Sequence, residues 1–279
     1  MDKKDLKFVF FGGEPLAIPA LNELYKNGYI PEIIISNPDK PQGRKLEMTS
    51  PPTALWAKKH NVPLLQPEKL DQEIIQGNFD FFIVVSYGKI IPQEILDLPK
   101  LGTINIHPSL LPLYRGPSPI VSTILNGDKT TGVTIIKIDE KMDHGPILAQ
   151  EKIDLSGNET IQDLENSLAE LGSELLIKVI PDFVAEKIEE IQQNDAEATF
   201  CKKIKKEDGL ITEEDLRESV LDQSKSVILY NKFRAYASWP RTFFFKDGKR
   251  IIITDAKLEN GVFVIKKVIP EGGKETDYK

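Results

Sequence analysis

The N-terminal half of the chain sets short, almost continuously apolar runs against stretches of helical periodicity, and this alternation limits the fold more than any other feature. Leu6 to Phe11, Tyr29 to Ser36, Val62 to Leu65, Phe79 to Val85, Thr103 to His107 and Gly132 to Ile138 read as strands. Between them, 18–26, 54–60 and 68–75 read as helices, and 37–52, rich in Pro, Gly and charge, reads as a loop. Strands rich in β-branched residues and lacking polar alternation are buried on both faces, as happens where helices cover a parallel sheet. The expected fold class is α/β, with a doubly wound, mostly parallel sheet.

Thr160 and Asp163 have the form of a capping box, and Ile161, Leu164, Leu168, Leu171 and Leu175 follow at helical spacing. A helical stretch is predicted from Thr160 towards Asn194, kinked or divided at Pro181; its pattern is too short for a coiled coil. Residues 194–209, with Lys202, Lys203, Lys205 and Lys206, read as a basic interdomain linker. A helix is predicted over 213–236, then strands at 242–246, 250–255 and 262–269. Asp247-Gly248 and Asn260-Gly261 between them are strong hairpin signals, because both pairs accept the positive φ of tight turns. The predicted organisation is a catalytic domain at 1–193, the linker at 194–209 and a C-terminal β module at 210–279.

The formal net charge of −7 over 279 residues is unevenly spread: residues 201–279 carry 17 Lys and Arg against 13 Asp and Glu, so the acidic excess lies in the first 200. A basic C-terminal part points to an anionic partner. The single cysteine, Cys201, excludes an internal disulfide and a cysteine metal cluster. The charged start and the brevity of Phe8 to Phe11 exclude a signal-peptide core or a membrane span there, so a cytoplasmic protein is expected, with no membrane partner.

Gly12-Gly13 closes the first strand, but neither G-x-G-x-x-G nor a P-loop follows; the glycines are expected to let the chain turn beneath a pocket at the strand ends. The strongest chemical signal is Asn105-Ile106-His107. Side chains alternate along a strand, so Asn105 and His107 share one face, placing an amide donor beside a titratable imidazole at the mouth of the sheet. The Pro-bounded stretch 108–117 must be a stiff, shaped loop. Asp143 follows the strand ending at Ile138, and its carboxylate can reach His107 if the two strands are neighbours. His60 reads as an exposed residue near a helix end, and His144 as either a second acid/base group or a turn residue. His107, His144 and Asp143 have the composition of a three-ligand metal site. Asn105 is a poor ligand, however, and no paired-His motif occurs, so no metal is expected. A serine hydrolase is excluded by the missing G-x-S-x-G.

Three segments together carry a wider likeness: Asn105-Ile106-His107-Pro108-Ser109-Leu110-Leu111-Pro112 with Tyr114-Arg115-Gly116, then Gly132-Val133-Thr134, and Met142-Asp143-His144-Gly145. They resemble the signature of the 10-formyltetrahydrofolate-dependent formyltransferases. Val84 to Pro92, Asn37 to Arg44, Lys203 to Gly209 and Ser238-Trp239-Pro240 extend the resemblance over nearly the whole chain, towards the members that formylate methionyl-initiator tRNA. The resemblance implies a Rossmann-like catalytic domain followed by a small β-barrel module of oligonucleotide-binding type, short for its kind. It implies Asn105, His107 and Asp143 as the catalytic trio, without a covalent enzyme intermediate. Ser86, Tyr87, Gly88, Ser109, Leu110, Leu111 and Pro112 would line the folate pocket, and Arg44, Lys45, Lys203 and Lys206 would meet tRNA phosphates. The expected state is a monomer. A formyltransferase for a nucleotide-linked amino sugar, sharing the same trio, is the rival reading.

Overall fold

The computed structural model describes residues 3–42, 46–71 and 74–278. In chain order the first elements are β1 (Phe8–Gly12), α1 (Ala17–Lys26), β2 (Ile33–Ile35), β3 (Lys40–Gln42), β4 (Glu47–Thr49), α2 (Pro52–His60), β5 (Leu64–Leu65) and β6 (Phe81–Val85). Then come α3 (Gln93–Leu96), β7 (Thr103–His107), α4 (Pro119–Asn126), β8 (Thr130–Lys137), β9 (Ile147–Asp154) and α5 (Ile161–Val184). Seven strands form one sheet in the order β5-β2-β1-β6-β7-β8-β9. The first five run parallel, and β8 is antiparallel to β7, with His107 opposite Thr134.

The continuous apolar runs mean what their composition implied. All five residues of β1 and of β6 are buried. Val9 and Phe11 pack with Phe82, Val84 and Tyr87 on one side of the sheet, while Phe8 stacks on Phe81 at 5.1 Å and Phe81 meets Phe183 of α5 edge-on. Burying one such ring contributes about 1.5–3 kcal/mol. The Thr160 capping box is present, with the Thr160 N–H donating to Asp163 Oδ2 at 2.9 Å and the Asp163 N–H donating back to Thr160 Oγ1. Helix α5 runs through Pro181 and ends three residues later. Gly172 lets it sit close to the sheet, for a Cβ there would lie 2.7 Å from Ile106 Cγ2.

Several expectations change. The predicted helix at 68–75 is not helical at its described residues. The Asp71 carboxylate accepts from the Ile74 N–H, and this local turn competes with a helix while Leu70 and Ile75 still anchor in the core. The segment 37–52 holds the hairpin β3–β4 rather than loop alone. Helix α4 went unread because its prolines look like loop, yet Pro119 occupies the first turn, where its missing N–H costs nothing, and left-handed Gly127 ends the helix.

The chain divides into two compact units that interleave along the sequence. One gathers Met1–Arg115, Gly132–Lys152 and Asn166–Thr199; the other gathers Gly116–Thr131, Ile153–Glu165 and Phe200–Lys279. In the second unit the single helix predicted over 213–236 is two, α6 (Glu213–Leu221) and α7 (Gln223–Ala235), broken at extended Asp222, whose carboxylate caps α7 through the Ser224 N–H. Strands β10 (Phe243–Lys246), β11 (Lys249–Glu259), β12 (Val262–Pro270) and β13 (Thr276–Asp277) form an antiparallel sheet in sequential order. Both hairpin turns fall where predicted, with positive φ at Asp247, Gly248, Asn260 and Gly261. Among the described residues β10 and β13 do not pair, so the C-terminal module is an open four-stranded antiparallel sheet, in keeping with the shortened β module expected there. Ile211, Leu229, Phe244, Ile253 and Phe263 form its core. Arg234 of α7, buried, donates to the Glu159 carbonyl at 2.6 Å and to Asn231 Oδ1 at 2.7 Å.

Candidate active site

Strand β7 presents Ile106 towards α5, and by the same alternation turns Asn105 and His107 to the other face. His107 is only 4% exposed. Its Nδ1 lies 3.6 Å from Asp143 Oδ1, and its Nε2 lies 3.0 Å from the Tyr114 carbonyl oxygen, to which it can donate. Burial pushes the imidazole pKa below its ordinary value, against the Asp143 carboxylate and the Tyr114 carbonyl, which both favour the charged ring. Asn105 is half-buried, and its side-chain amide makes no hydrogen bond among the described residues. The condition set by the sequence is met: β7 and β8 are neighbours, and Asp143 reaches His107.

Asp143 sits in a turn with left-handed backbone, φ +50°. Gly145 follows at a point where only glycine fits, because a Cβ would lie 1.8 Å from the Lys137 carbonyl oxygen. Gln193 closes this turn from outside, its amide nitrogen donating to the carbonyls of Asp143 at 2.9 Å and Gly145 at 2.8 Å. The Gln193 Oε1 accepts from Arg115 Nε at 3.0 Å, and Arg115, itself 3% exposed, pairs with Asp195 at 2.9 Å. His144 stands between two carboxylates, Nδ1 2.6 Å from Asp139 and Nε2 3.4 Å from Asp195. It is a member of this charged chain rather than a turn residue alone. His60 stacks on Trp56 at 4.1 Å.

The loop 108–115 is braced from within. Thr134 Oγ1 donates to the Ser109 carbonyl and accepts from the Leu111 N–H; Gln150 donates to the Leu111 carbonyl and to Thr134; Ser109 Oγ donates to the Leu113 carbonyl at 2.6 Å. Leu111 packs against Ile136 and Ile147. Ser109 and Leu111 thus turn their side chains into the protein and shape the loop, while Leu110 and Pro112 stay partly open. At the end of β6, Ser86 has left-handed backbone, and its carbonyl accepts from the N–H groups of Gly13 and Glu14. Tyr87 is 1% exposed, its phenol pushed up to about 12 by burial, and its carbonyl accepts from Asn37 Nδ2. Gly13 leaves room for that amide, since a Cβ would lie 2.2 Å from its nitrogen and displace the Asn37 side chain. Gly88, at φ +73°, faces open space. The carboxyl ends of β1, β6 and β7 therefore carry a rim of tightly fixed main chain, the usual place for a ligand in an open α/β sheet.

Of the residues expected at phosphates, Lys203 and Lys206 are exposed in the second unit, while Arg44 and Lys45 lie outside the described residues. Sequence reasoning gave no sign of Gln193 or of the role of Arg115. A glutamine in a polar run looks like solvated chain, and it is the pairing of Ile191 with Ile147, distant in sequence, that brings it to Asp143.

Residues 6–180 match the formyl transferase family, so the chain belongs to that family and is an enzyme of formyl transfer. It is 39% identical over 257 residues to a methionyl-tRNA formyltransferase of Chloroflexus aggregans, spanning 90% of this chain and 80% of that protein. It is 36% identical over 249 residues to the one of Halalkalibacterium halodurans, spanning 88% and 76%. Among solved structures, methionyl-tRNA formyltransferase from Clostridium thermocellum superposes with a TM-score of 0.61 at 19% identity, covering 98% of this chain and all of that one. A sugar 3N-formyl transferase, WlaRD, solved with dTDP and 5-N-formyl-THF, superposes at 0.65 with 21% identity, covering 91% and 87%. These two share the fold. No helix among the described residues is long and apolar enough to cross a membrane.

Proposed function

We propose that this enzyme transfers the formyl group of 10-formyltetrahydrofolate to the amino group of methionyl-initiator tRNA. The observation that carries the chemistry is buried His107, on the strand that also carries Asn105, set against the partly buried Asp143 carboxylate; the tRNA acceptor rests on the curated relatives named above. Attack of an amine on a formyl carbon builds negative charge on the formyl oxygen. The Asn105 amide is a donor for that charge, a contribution of about 3–4 kcal/mol. His107 is the second donor: Nε2–H exchanges the Tyr114 carbonyl for the developing oxyanion, while Asp143 holds Nδ1 and favours the imidazolium as charge accumulates. The tetrahedral intermediate collapses by breaking the bond between the formyl carbon and the folate nitrogen, and Asp143 helps pass the proton lost by the attacking amine to that nitrogen as it leaves. Ser86, Tyr87, Gly88, Ser109, Leu110, Leu111 and Pro112 bound the folate, with Tyr87, Ser109 and Leu111, whose side chains are buried, contributing main chain. Arg44, Lys45, Lys203 and Lys206, with the β module, meet the tRNA backbone.

The test is direct transfer from 10-formyltetrahydrofolate to methionine-charged initiator tRNA, with an amino-sugar nucleotide as the competing acceptor. Formylation of the tRNA alone is expected; formylation of the sugar alone overturns the acceptor assignment. Lys203→Ala and Lys206→Ala together are expected to weaken tRNA binding and flatten its salt dependence by up to about two phosphate contacts.

A further inference from the structure

The functional reading leaves one polar side chain unused although it touches both halves of the site. Gln193 offers two N–H donors and one carbonyl acceptor, and all three are engaged. The donors go to the main-chain carbonyls of Asp143 and Gly145, and the acceptor takes Arg115 Nε. The backbone around it is tied on the same two sides. Ile191 exchanges both main-chain hydrogen bonds with Ile147, just beyond the Asp143 turn. Thr199 accepts from the N–H of Arg115, donates to the Pro112 carbonyl, and takes the Tyr114 N–H on its hydroxyl. Tyr114 and Asp143 are the two residues whose oxygens face the ring nitrogens of His107. One segment, 191–199, therefore fixes both partners of that imidazole, and within it Gln193 bonds directly to the Asp143 main chain.

From this geometry, and resting on the catalytic reading of His107 and Asp143, we infer that Gln193 is a positioning residue for Asp143: its amide clamps the left-handed turn so that the carboxylate stays at His107 Nδ1. The clamp matters because Asp143 stands at φ +50°, in the left-handed region that non-glycine residues seldom adopt, and the Gln193 bonds to the Asp143 and Gly145 carbonyls hold the turn from outside. Gln193 touches none of the reacting atoms. Its effect should reach catalysis through the Asp143–His107 distance and leave both substrate sites alone.

Two substitutions separate its parts. Gln193→Met keeps length and shape and removes every hydrogen bond; Gln193→Glu keeps an acceptor for Arg115 and sets lone pairs against two carbonyls. Both are expected to lower kcat about 10- to 100-fold, Glu more than Met, with KM for 10-formyltetrahydrofolate and for the acceptor within about twofold. In the free enzyme the His107 imidazole, followed by NMR, should titrate at lower pH, since the raising influence of Asp143 recedes. In an Asp143→Asn background, Gln193→Met should move neither this titration nor the residual rate. Unchanged kcat and titration in Gln193→Glu, or full additivity with Asp143→Asn, overturns the inference. If Gln193→Met fails to fold, as judged by circular dichroism, Gln193→Glu decides alone. His107→Ala tests the underlying reading separately: if it is inactive while the Gln193 variants are normal, only the clamp is wrong, and if it is active the catalytic reading itself falls.

Discussion

Asp143 and Asp247 share nearly the same unusual backbone, φ +50° and +51°, yet the two turns are built in opposite ways. Asp247 is followed by Gly248 in a hairpin whose strands pair Lys246 with Lys249, so everything the turn needs lies within four residues. Asp143 is held by a side chain fifty positions away and by a glycine pressed against the Lys137 carbonyl. The first conformation is a property of two neighbouring residues; the second is a property of the folded unit. Local turns tolerate change at a modest cost, whereas a turn held by remote partners transmits any disturbance to the group it carries, here the partner of a buried histidine.

Substitutions can break or sharpen that contrast. The largest effect belongs to His107→Ala, expected to lower turnover about a thousandfold, equal to about 4 kcal/mol of transition-state stabilisation, with an unchanged melting curve. Gly145→Ala comes next: it should destabilise by at least about 3 kcal/mol in denaturant unfolding, because a backbone oxygen blocks the new methyl, and it should lose activity as Asp143 is displaced. Gly248→Ala meets open space, so only the left-handed backbone penalty remains, about 1–2 kcal/mol, with transfer unaffected. A loss of activity in Gly248→Ala, or indifference at Gly145, would erase the distinction.

The smallest effect concerns Glu159. Burial works against its charge, but hydrogen bonds from Ser156 and from the Ser156 and Gly157 N–H groups prevail and hold its pKa at about 2, below the usual 4.5. A depressed carboxylate stabilises the folded state above its unfolded pKa and loses that stabilisation as pH falls from about 4.5 towards 2. Glu159→Gln should therefore lower the melting temperature by about 2–4 °C at neutral pH, about 1 kcal/mol after solvent screening, and the gap should close in acid.

The same contrast explains what could be read from the sequence. The sheet was legible because Phe8 to Phe11 and Phe79 to Val85 carry their burial in their composition, and both hairpins because Asp-Gly and Asn-Gly encode the turn locally. Asn105, His107 and Asp143 were recognisable as a set, and the neighbouring strands supply the contact that their spacing only permitted. Gln193 and Arg115 were not legible, since a polar residue declares no partner until topology supplies one. The break at Asp222 was hidden because aspartate serves equally as a helix surface residue and as a cap. The expected helix at 68–75 failed because two buried anchors fit a turn as well as a helix.

The segment from Ile191 to Thr199 also has a fixed length. It is tied at Ile147 by one end and at Pro112, Tyr114 and Arg115 by the other, so it works as a ruler between two parts of the same unit. The loss of one residue would have to be taken up by the 3-10 turn Asp195–Glu197, which rises only about 2 Å per residue, at the expense of the Asp195–Arg115 pair, whereas an added residue could bulge outwards from its exposed middle. Within this enzyme, tolerance of insertions and intolerance of deletions should therefore coincide in the same nine residues.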